Sequence, residues 1–264
     1  MKKIDNIEEL HKILLDIAKY FHQICVDNDI PYYMLGGTML GAVRHKGFIP
    51  WDDDMDFGVE RKYFEKLETI LEERVDSPYR LLTKYNSKII LNDFDKLEDS
   101  RTIVQDPSRS NINEVFGVNV DVFPLDITNG KRGFFSKNRM VRYIAVINSL
   151  KNRSLKSLRW LTTFKAIIIR LFFFPFSKFL LLDFAKKYLI QGKGDFLSNL
   201  YGFWGTREIV PKDVMGKPTL YQFEDISLYG PEKFDEYLSI LYGDYMTLPS
   251  EDKRHIHLSN VFVK

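Results

Sequence analysis

Four carboxylates, Asp52, Asp53, Asp54 and Asp56, crowd five consecutive positions of this 264-residue chain. Like charges at that density repel one another unless a cation sits among them. Met55 to Val59 alternates apolar and other residues in the manner of a strand, which puts Asp54 and Asp56 on one face and points Asp53 elsewhere. Two such carboxylates can hold one divalent ion, and an oxygen-only ligand set suits a hard cation, Mg²⁺ or Mn²⁺; the alternative is a solvated acidic turn. Upstream, Gly36-Gly37-Thr38 closes one strand and opens a short helix, Met39 to Arg44, so that backbone N–H groups unobstructed by side chains can meet a phosphate there. A Gly pair alone is an ordinary turn; beside paired carboxylates it is half of a metal–phosphate site. Asp121, an acid isolated in Val120-Asp121-Val122-Phe123-Pro124, would complete a phosphoryl-transfer centre, either in the metal shell or as acceptor of a hydroxyl proton. Asp126, just past the proline, competes for that place, with a loop N-cap as its plain alternative.

The elements that must position these residues follow from periodicity. Leu10, Leu14, Ile17, Phe21 and Ile24 form one apolar stripe and predict a helix over 6–27. Tyr32-Tyr33-Met34-Leu35 is strand-like and delivers the Gly pair, while 46–51 is a loop broken by Gly47 and Pro50. Helical spacing returns over 61–75, and short strands are expected at 79–83, 88–92, 94–97 and 119–123, the last closed by Pro124. This order implies an α+β fold, a mixed sheet with helices packed on it. Three parts are expected: a catalytic core over 1–130, a helical insertion over 131–200, and a segment over 201–264 that completes the site.

Composition narrows the class. The chain is 45% hydrophobic with 21 Phe, 14 Tyr and 3 Trp, enough for a packed core and incompatible with disorder. A single cysteine, Cys25, permits no internal disulfide or cysteine-built zinc site, and the early acids of the N-terminus are wrong for a signal peptide, so a cytoplasmic place is expected. The formal charge of +2 conceals an asymmetry: residues 131–193 carry fifteen Lys and Arg against one acid, Asp183, a net +14 set against −12 elsewhere. The apolar stretch Ala166 to Leu182 has as its longest uncharged run Leu171 to Ser177, far too short to span a bilayer, but a cationic, aromatic-rich helical region suits the inner face of an anionic membrane. The alternative is a lobe packed on the catalytic domain with its bases solvated. No nucleic-acid reader motif is present.

The run Leu35 to Asp56, the block Val120-Asp121-Val122-Phe123-Pro124-Leu125-Asp126, and Tyr242-Gly243-Asp244-Tyr245-Met246-Thr247-Leu248-Pro249 with Arg254 and His257 resemble the LicD family, whose relatives include the fukutin proteins. The resemblance spans most of the chain and is weakest over 131–193. It implies a nucleotidyltransferase-like fold and transfer of a substituted phosphate from a CDP-activated donor to a sugar hydroxyl of a cell-surface glycan or its lipid-linked precursor. Phosphocholine is the foremost donor group; ribitol phosphate and glycerol phosphate are used by relatives. On this reading Gly36, Gly37 and Thr38 seat the donor diphosphate, Asp54, Asp56 and Asp121 hold the metal, and Asp52 supports them. The 16 residues between Gly37 and Asp54 exceed the broader nucleotidyltransferase spacing, so the 44–51 loop looks like an insertion that serves donor or acceptor. Within it Arg44 is a candidate phosphate ligand or a salt-bridge partner of the nearby acids, His45 a proton shuttle or spacer, and Trp51 a packing residue or stacking platform. Lys96, with Asp99 and Arg101, is a donor-contact candidate, and Arg254 and His257 are implied to position substrate. The rivals are a true nucleotidyltransferase releasing pyrophosphate and a non-enzymatic protein that binds anionic membrane or polymer.

Overall fold

Asn6 starts the first helix by accepting the Glu9 N–H on its side-chain oxygen at 2.8 Å, and the apolar stripe Leu10, Leu14, Ile17, Phe21 and Ile24 is buried as its spacing demands. The structure is a computed structural model that describes residues 1–105, 114–130, 136–152, 160–173, 175–190, 192–250, 254 and 260–264. In chain order the elements are β1 (Lys2–Lys3), α1 (Ile7–Asp27), β2 (Tyr32–Met34), α2 (Gly36–Arg44), β3 (Asp56–Glu60), α3 (Arg61–Glu72), β4 (Tyr79–Leu82), β5 (Asp95–Gln105) and β6 (Phe116–Thr128). Then come α4 (Lys137–Asn152), α5 (Trp160–Phe173), α6 (Lys178–Phe184), a π-helical turn (Ala185–Leu189), β7 (Phe196–Asn199), a 3₁₀ turn (Gly205–Glu208), β8 (Ile209–Pro211) and α7 (Lys212–Met215). A hairpin of β9 (Thr219–Phe223) and β10 (Ile226–Gly230), α8 (Phe234–Tyr242) and β11 (Asn260–Val263) complete the described chain.

The protein is α+β. Its main sheet runs β1-β11-β5-β6-β3-β2, with β4 beside β5 and with β7 and β8 continuing from β6. Only β3 and β6 pair in parallel among the described strands. Helices α1 and α3 pack on this sheet, and the core runs from Ile4 and α1 through β2, β3 and β6 to α8.

Three expectations change. The Gly pair is no separate turn: Gly36, at φ +50, lets β2 pass into helix within one residue, so α2 begins at Gly36 and not at Met39. No strand forms over 88–92. Carbonyls there are taken by side chains of the basic segment, the Lys178 ammonium donating to Ser87 O and Ile90 O at 3.0 Å each and the Asn148 amide to Leu91 O at 3.3 Å. Finally, Pro124 does not close β6, which continues to Thr128. The Asp121 N–H points to β3, donating to Met55 O, so by alternation the ring nitrogen of Pro124 faces the other edge. There β5 pairing stops at Val122 and β7 pairing starts at Leu125, so the missing donor falls in a gap between two partner strands.

Within 131–200 the described helices α4, α5 and α6 precede β7, which pairs back onto β6 with Phe196 directly opposite Thr128. No described helix is long and apolar enough to cross a membrane.

Candidate active site

Three neighbouring strands carry the charged centre in one row. Lys96 on β5 stands opposite Asp121 on β6, and Asp121 stands opposite Asp56 on β3. The Lys96 ammonium hydrogen-bonds the Asp121 carboxylate and also donates to Asn119 Oδ1 at 3.0 Å. Asp54 lies just before the strand and lines the same cavity of about 300 Å³ as Asp56, Asp121, Gly36 and Gly37. A smaller adjoining cavity of about 180 Å³ shares Asp54 and Asp121 and adds Asp53, Lys96 and Asn119. Oxygens of Asp52, Asp53 and Asp54 also lie within 4.8 Å of one another, so Asp53 does not face away as strand alternation suggested. The reason is local: β3 begins only at Asp56, and the Asp52 N–H bonds back to Ile49 O at 2.9 Å, curling these residues into a turn.

The start of α2 is tied to β3 by its own backbone. The Leu35 N–H donates to Asp56 O at 2.9 Å, and the Asp56 N–H donates to Thr38 Oγ1 at 2.8 Å. Thr38 is buried, and its hydroxyl oxygen, by accepting the Asp56 N–H, seats Asp56. The Gly36 N–H is taken by the Tyr237 hydroxyl at 3.0 Å. A Cβ on Gly37 would lie 2.7 Å from Asp52 Oδ2, and one on Gly36 would lie 3.5 Å from Asp56 Oδ2. The glycines therefore admit carboxylates against the helix start, a role the spacing did not disclose.

Negative charge is in excess here. Burial, then repulsion from Asp54, Asp121 and Glu208, pushes the Asp56 carboxyl well above the usual carboxylate range, and Lys96 only partly offsets it. Burial, with Asp54 and Asp53 beside it, raises Asp52 to about 7. Burial likewise pushes Glu208 up to about 7, against the Trp204 N–H it accepts at 2.7 Å and the nearby Arg142. A crowded, oxygen-only donor set in which Asp52 and Asp56 resist ionising is of the kind that suits a hard divalent cation, with Asp54, Asp56 and Asp121 as the carboxylates that would hold it and Asp52 beside them.

The 44–51 loop is held at its middle and just past its end. His11 stacks on Phe48 at 4.0 Å and donates from Nε2 to Asp52 O at 2.7 Å, and Glu224 accepts the Phe48 N–H at 3.0 Å. Arg44 makes no described salt bridge to the acids; it donates to His45 Nε2 at 3.0 Å and to Tyr245 O at 2.9 Å. The Arg254 guanidinium sits 4.9 Å over the Trp51 ring, which packs on the core. Burial and the proximity of Arg254 lower the Arg44 pKa, and burial with Arg44 lowers that of His45. Tyr242, which lines the acidic cavity, also acts electrostatically on Arg44, so a cationic patch adjoins the carboxylates.

Residues after β7 form the rest of the cavity wall. Trp204 meets Tyr242 edge to face at 5.0 Å and Phe203 at 5.4 Å, and Phe203 is 88% exposed. Sequence reading missed Glu208, Phe203, Trp204, Tyr237 and His11, because none has a motif and each is brought in from a distant segment; Tyr242 lay inside a block already noticed. Asp126 does not compete for the metal: an odd spacing from Asp121 puts it on the opposite face of β6, fully buried, where Arg61 grips both its oxygens at 2.9 Å and also bonds Asp93 at 2.8 Å. It is neither loop residue nor N-cap. His257 lies outside the described residues.

Comparison with known proteins adds an independent finding. Residues 29–160 match the family described as LicD/FKTN/FKRP, nucleotidyltransferase domain. The chain is 30% identical over 277 aligned positions to the lipopolysaccharide cholinephosphotransferase LicD of Haemophilus influenzae, covering 100% of both proteins. A stretch of 48 residues is 38% identical to the ribitol 5-phosphate transferase FKRP of Homo sapiens, 18% of this chain and 10% of that protein. Another of 58 residues is 43% identical to an uncharacterized protein of Rickettsia prowazekii, 22% of each.

Proposed function

The chain belongs to the LicD nucleotidyltransferase family, and from that premise we propose that it is a metal-dependent phosphotransferase moving phosphocholine from CDP-choline to a sugar hydroxyl of a cell-surface glycan or its lipid-linked precursor. The observation that carries the reading is the facing pair Asp56 and Asp121 on parallel strands, opening with Asp54 onto the glycine start of α2. The Haemophilus relative, by its name a cholinephosphotransferase, supports the donor group. So does the aromatic wall of Phe203, Trp204 and Tyr242, since a quaternary ammonium is attracted to aromatic rings, whereas a polyol phosphate has no cation to place there.

The acceptor oxygen forms a bond to the choline-bearing phosphorus, the bond from that phosphorus to the bridging oxygen breaks, cytidine monophosphate departs, and the hydroxyl proton is released. Mg²⁺ or Mn²⁺ held by Asp54, Asp56 and Asp121 would neutralise charge on the diphosphate. Gly36 and Gly37 keep side chains out of the phosphate's way, and Thr38 fixes Asp56 through its N–H. Arg44 and Arg254 present positive charge at the adjoining rim. Lys96 hydrogen-bonds the Asp121 carboxylate and so fixes its position beside Asp56.

Product analysis tests the reading. Incubation with CDP-choline, CDP-ribitol or CDP-glycerol, a glycan acceptor and Mg²⁺ or Mn²⁺ should yield cytidine monophosphate and phosphocholine-bearing glycan from CDP-choline, and nothing with EDTA. Pyrophosphate with nucleotide on the acceptor would establish the rival nucleotidyltransferase. Absence of turnover from every CDP compound would leave a binding protein.

A further inference from the structure

Helix α5 presents its apolar side outward. Of its described side chains only Ala166 is buried, while Trp160 is 78% exposed and Leu171 and Phe172 are 74% exposed each. Trp160, Phe164, Ile167, Ile168, Leu171 and Phe172 recur at the helical spacing that makes one stripe, and Phe179 and Leu180 of α6 are exposed as well. A helix packed to stabilise a lobe would turn this stripe inward, so a lobe merely packed on the catalytic domain does not account for it.

The charge of the segment that carries the stripe argues for what covers it. Residues 131–193 hold fifteen bases and one acid. That acid, Asp183, faces Lys84 at 3.7 Å, and Lys186 pairs with Glu65 at 2.6 Å. Arg142, Lys151 and Lys178 donate to backbone carbonyls, which accept hydrogen bonds without cancelling charge. Lys165 is exposed in the middle of α5. A second copy of the chain would bring the same excess of positive charge to the contact, and a neutral apolar partner would leave it uncompensated. At about 1.5 Å per residue, the 14 residues of α5 are too short to cross a bilayer but long enough to lie along one.

We propose that α5 and α6 form a docking face for an anionic lipid leaflet, the stripe entering the headgroup boundary with the surrounding bases over the lipid charges. The lobe is fastened to the rim of the candidate active site, for Arg142 of α4 donates to Gly202 O at 2.7 Å, next to Phe203 and Trp204. Docking therefore holds the catalytic cavity beside the surface on which a lipid-linked acceptor would reside. The docking face stands whether or not the phosphotransfer reading does, because its evidence is the exposure and charge of the lobe.

Sedimentation of the full chain with vesicles tests this. Phosphatidylglycerol-rich vesicles should carry the protein down at low salt, pure phosphatidylcholine vesicles should not, and 0.5 M salt should weaken binding by tenfold or more. Lys165→Gln should reduce partition about fivefold, and Phe164→Ser with Leu171→Ser and Phe172→Ser should abolish it. These exposed substitutions should leave the melting temperature and turnover with a short soluble acceptor unchanged, which separates failure of docking from failure of folding or of chemistry. Equal binding to neutral vesicles, no binding to anionic ones, or a dimer dissolved by the triple substitution without any vesicle binding would each overturn the proposal.

Discussion

Glu208→Gln should stabilise the metal-free protein, and only at neutral and alkaline pH. Below about pH 4.5 the carboxyl is protonated in both folded and unfolded chains and contributes no difference. Between there and about 7 the unfolded chain ionises while the folded one, raised by burial, keeps its proton; above about 7 the folded state bears the full penalty. A rise from 4.5 to about 7 corresponds to ~3 kcal/mol. Glutamine has the same shape, retains an oxygen to accept the Trp204 N–H, and has no charge to bury. At a few degrees per kcal/mol, the variant should melt ~6–10 °C higher than wild type at pH 8 in EDTA and within a degree of it at pH 4.5. Calorimetric melts at the two pH values measure this. Equal gains at both would mean that packing, not ionisation, separates the two proteins, and destabilisation at pH 8 would mean that Glu208 is held as a paired carboxylate; either refutes the reasoning.

Asp54→Asn and Asp56→Asn should each cut turnover by about a thousandfold or more and remove the rise in melting temperature given by Mg²⁺ or Mn²⁺, read by thermal shift. Gly37→Ala, whose Cβ would come within 2.7 Å of Asp52 Oδ2, should displace that carboxylate and lower kcat with little loss of stability, as kinetics and urea titration would report. Arg61→Met should cost ~3–5 kcal/mol in urea unfolding by stranding buried Asp126, while Asp93 keeps Lys84 at 2.7 Å, and should leave metal affinity of the folded protein intact, because Asp126 lies on the far face of β6.

Local rules carried far in this chain. The stripe of α1, the strand entering Asp56 and the isolation of Asp121 were legible because each depends on spacing within a few residues, and the register of β3 with β6 then brings Asp56 and Asp121 side by side. Asp53 was misread because alternation was applied before the strand begins. Pro124 was misread as a terminator because sequence does not show that β5 and β7 share one edge of β6 and leave a space between them. Glu208, Trp204 and Tyr237 reach the site only through tertiary contacts with segments more than a hundred residues away, where no short-range pattern could announce them.

The pairing of Phe196 with Thr128 makes the whole intervening stretch an excursion from a single hairpin. Its two ends are fixed on adjacent strands, so the length and content of what lies between can change without altering where Asp54, Asp56 and Asp121 stand. Chemistry and address are thereby separable in this architecture. On the proposed function and docking face, one sheet would keep the row of Asp54, Asp56 and Asp121 while lobes of different charge and greasiness occupied the same joint.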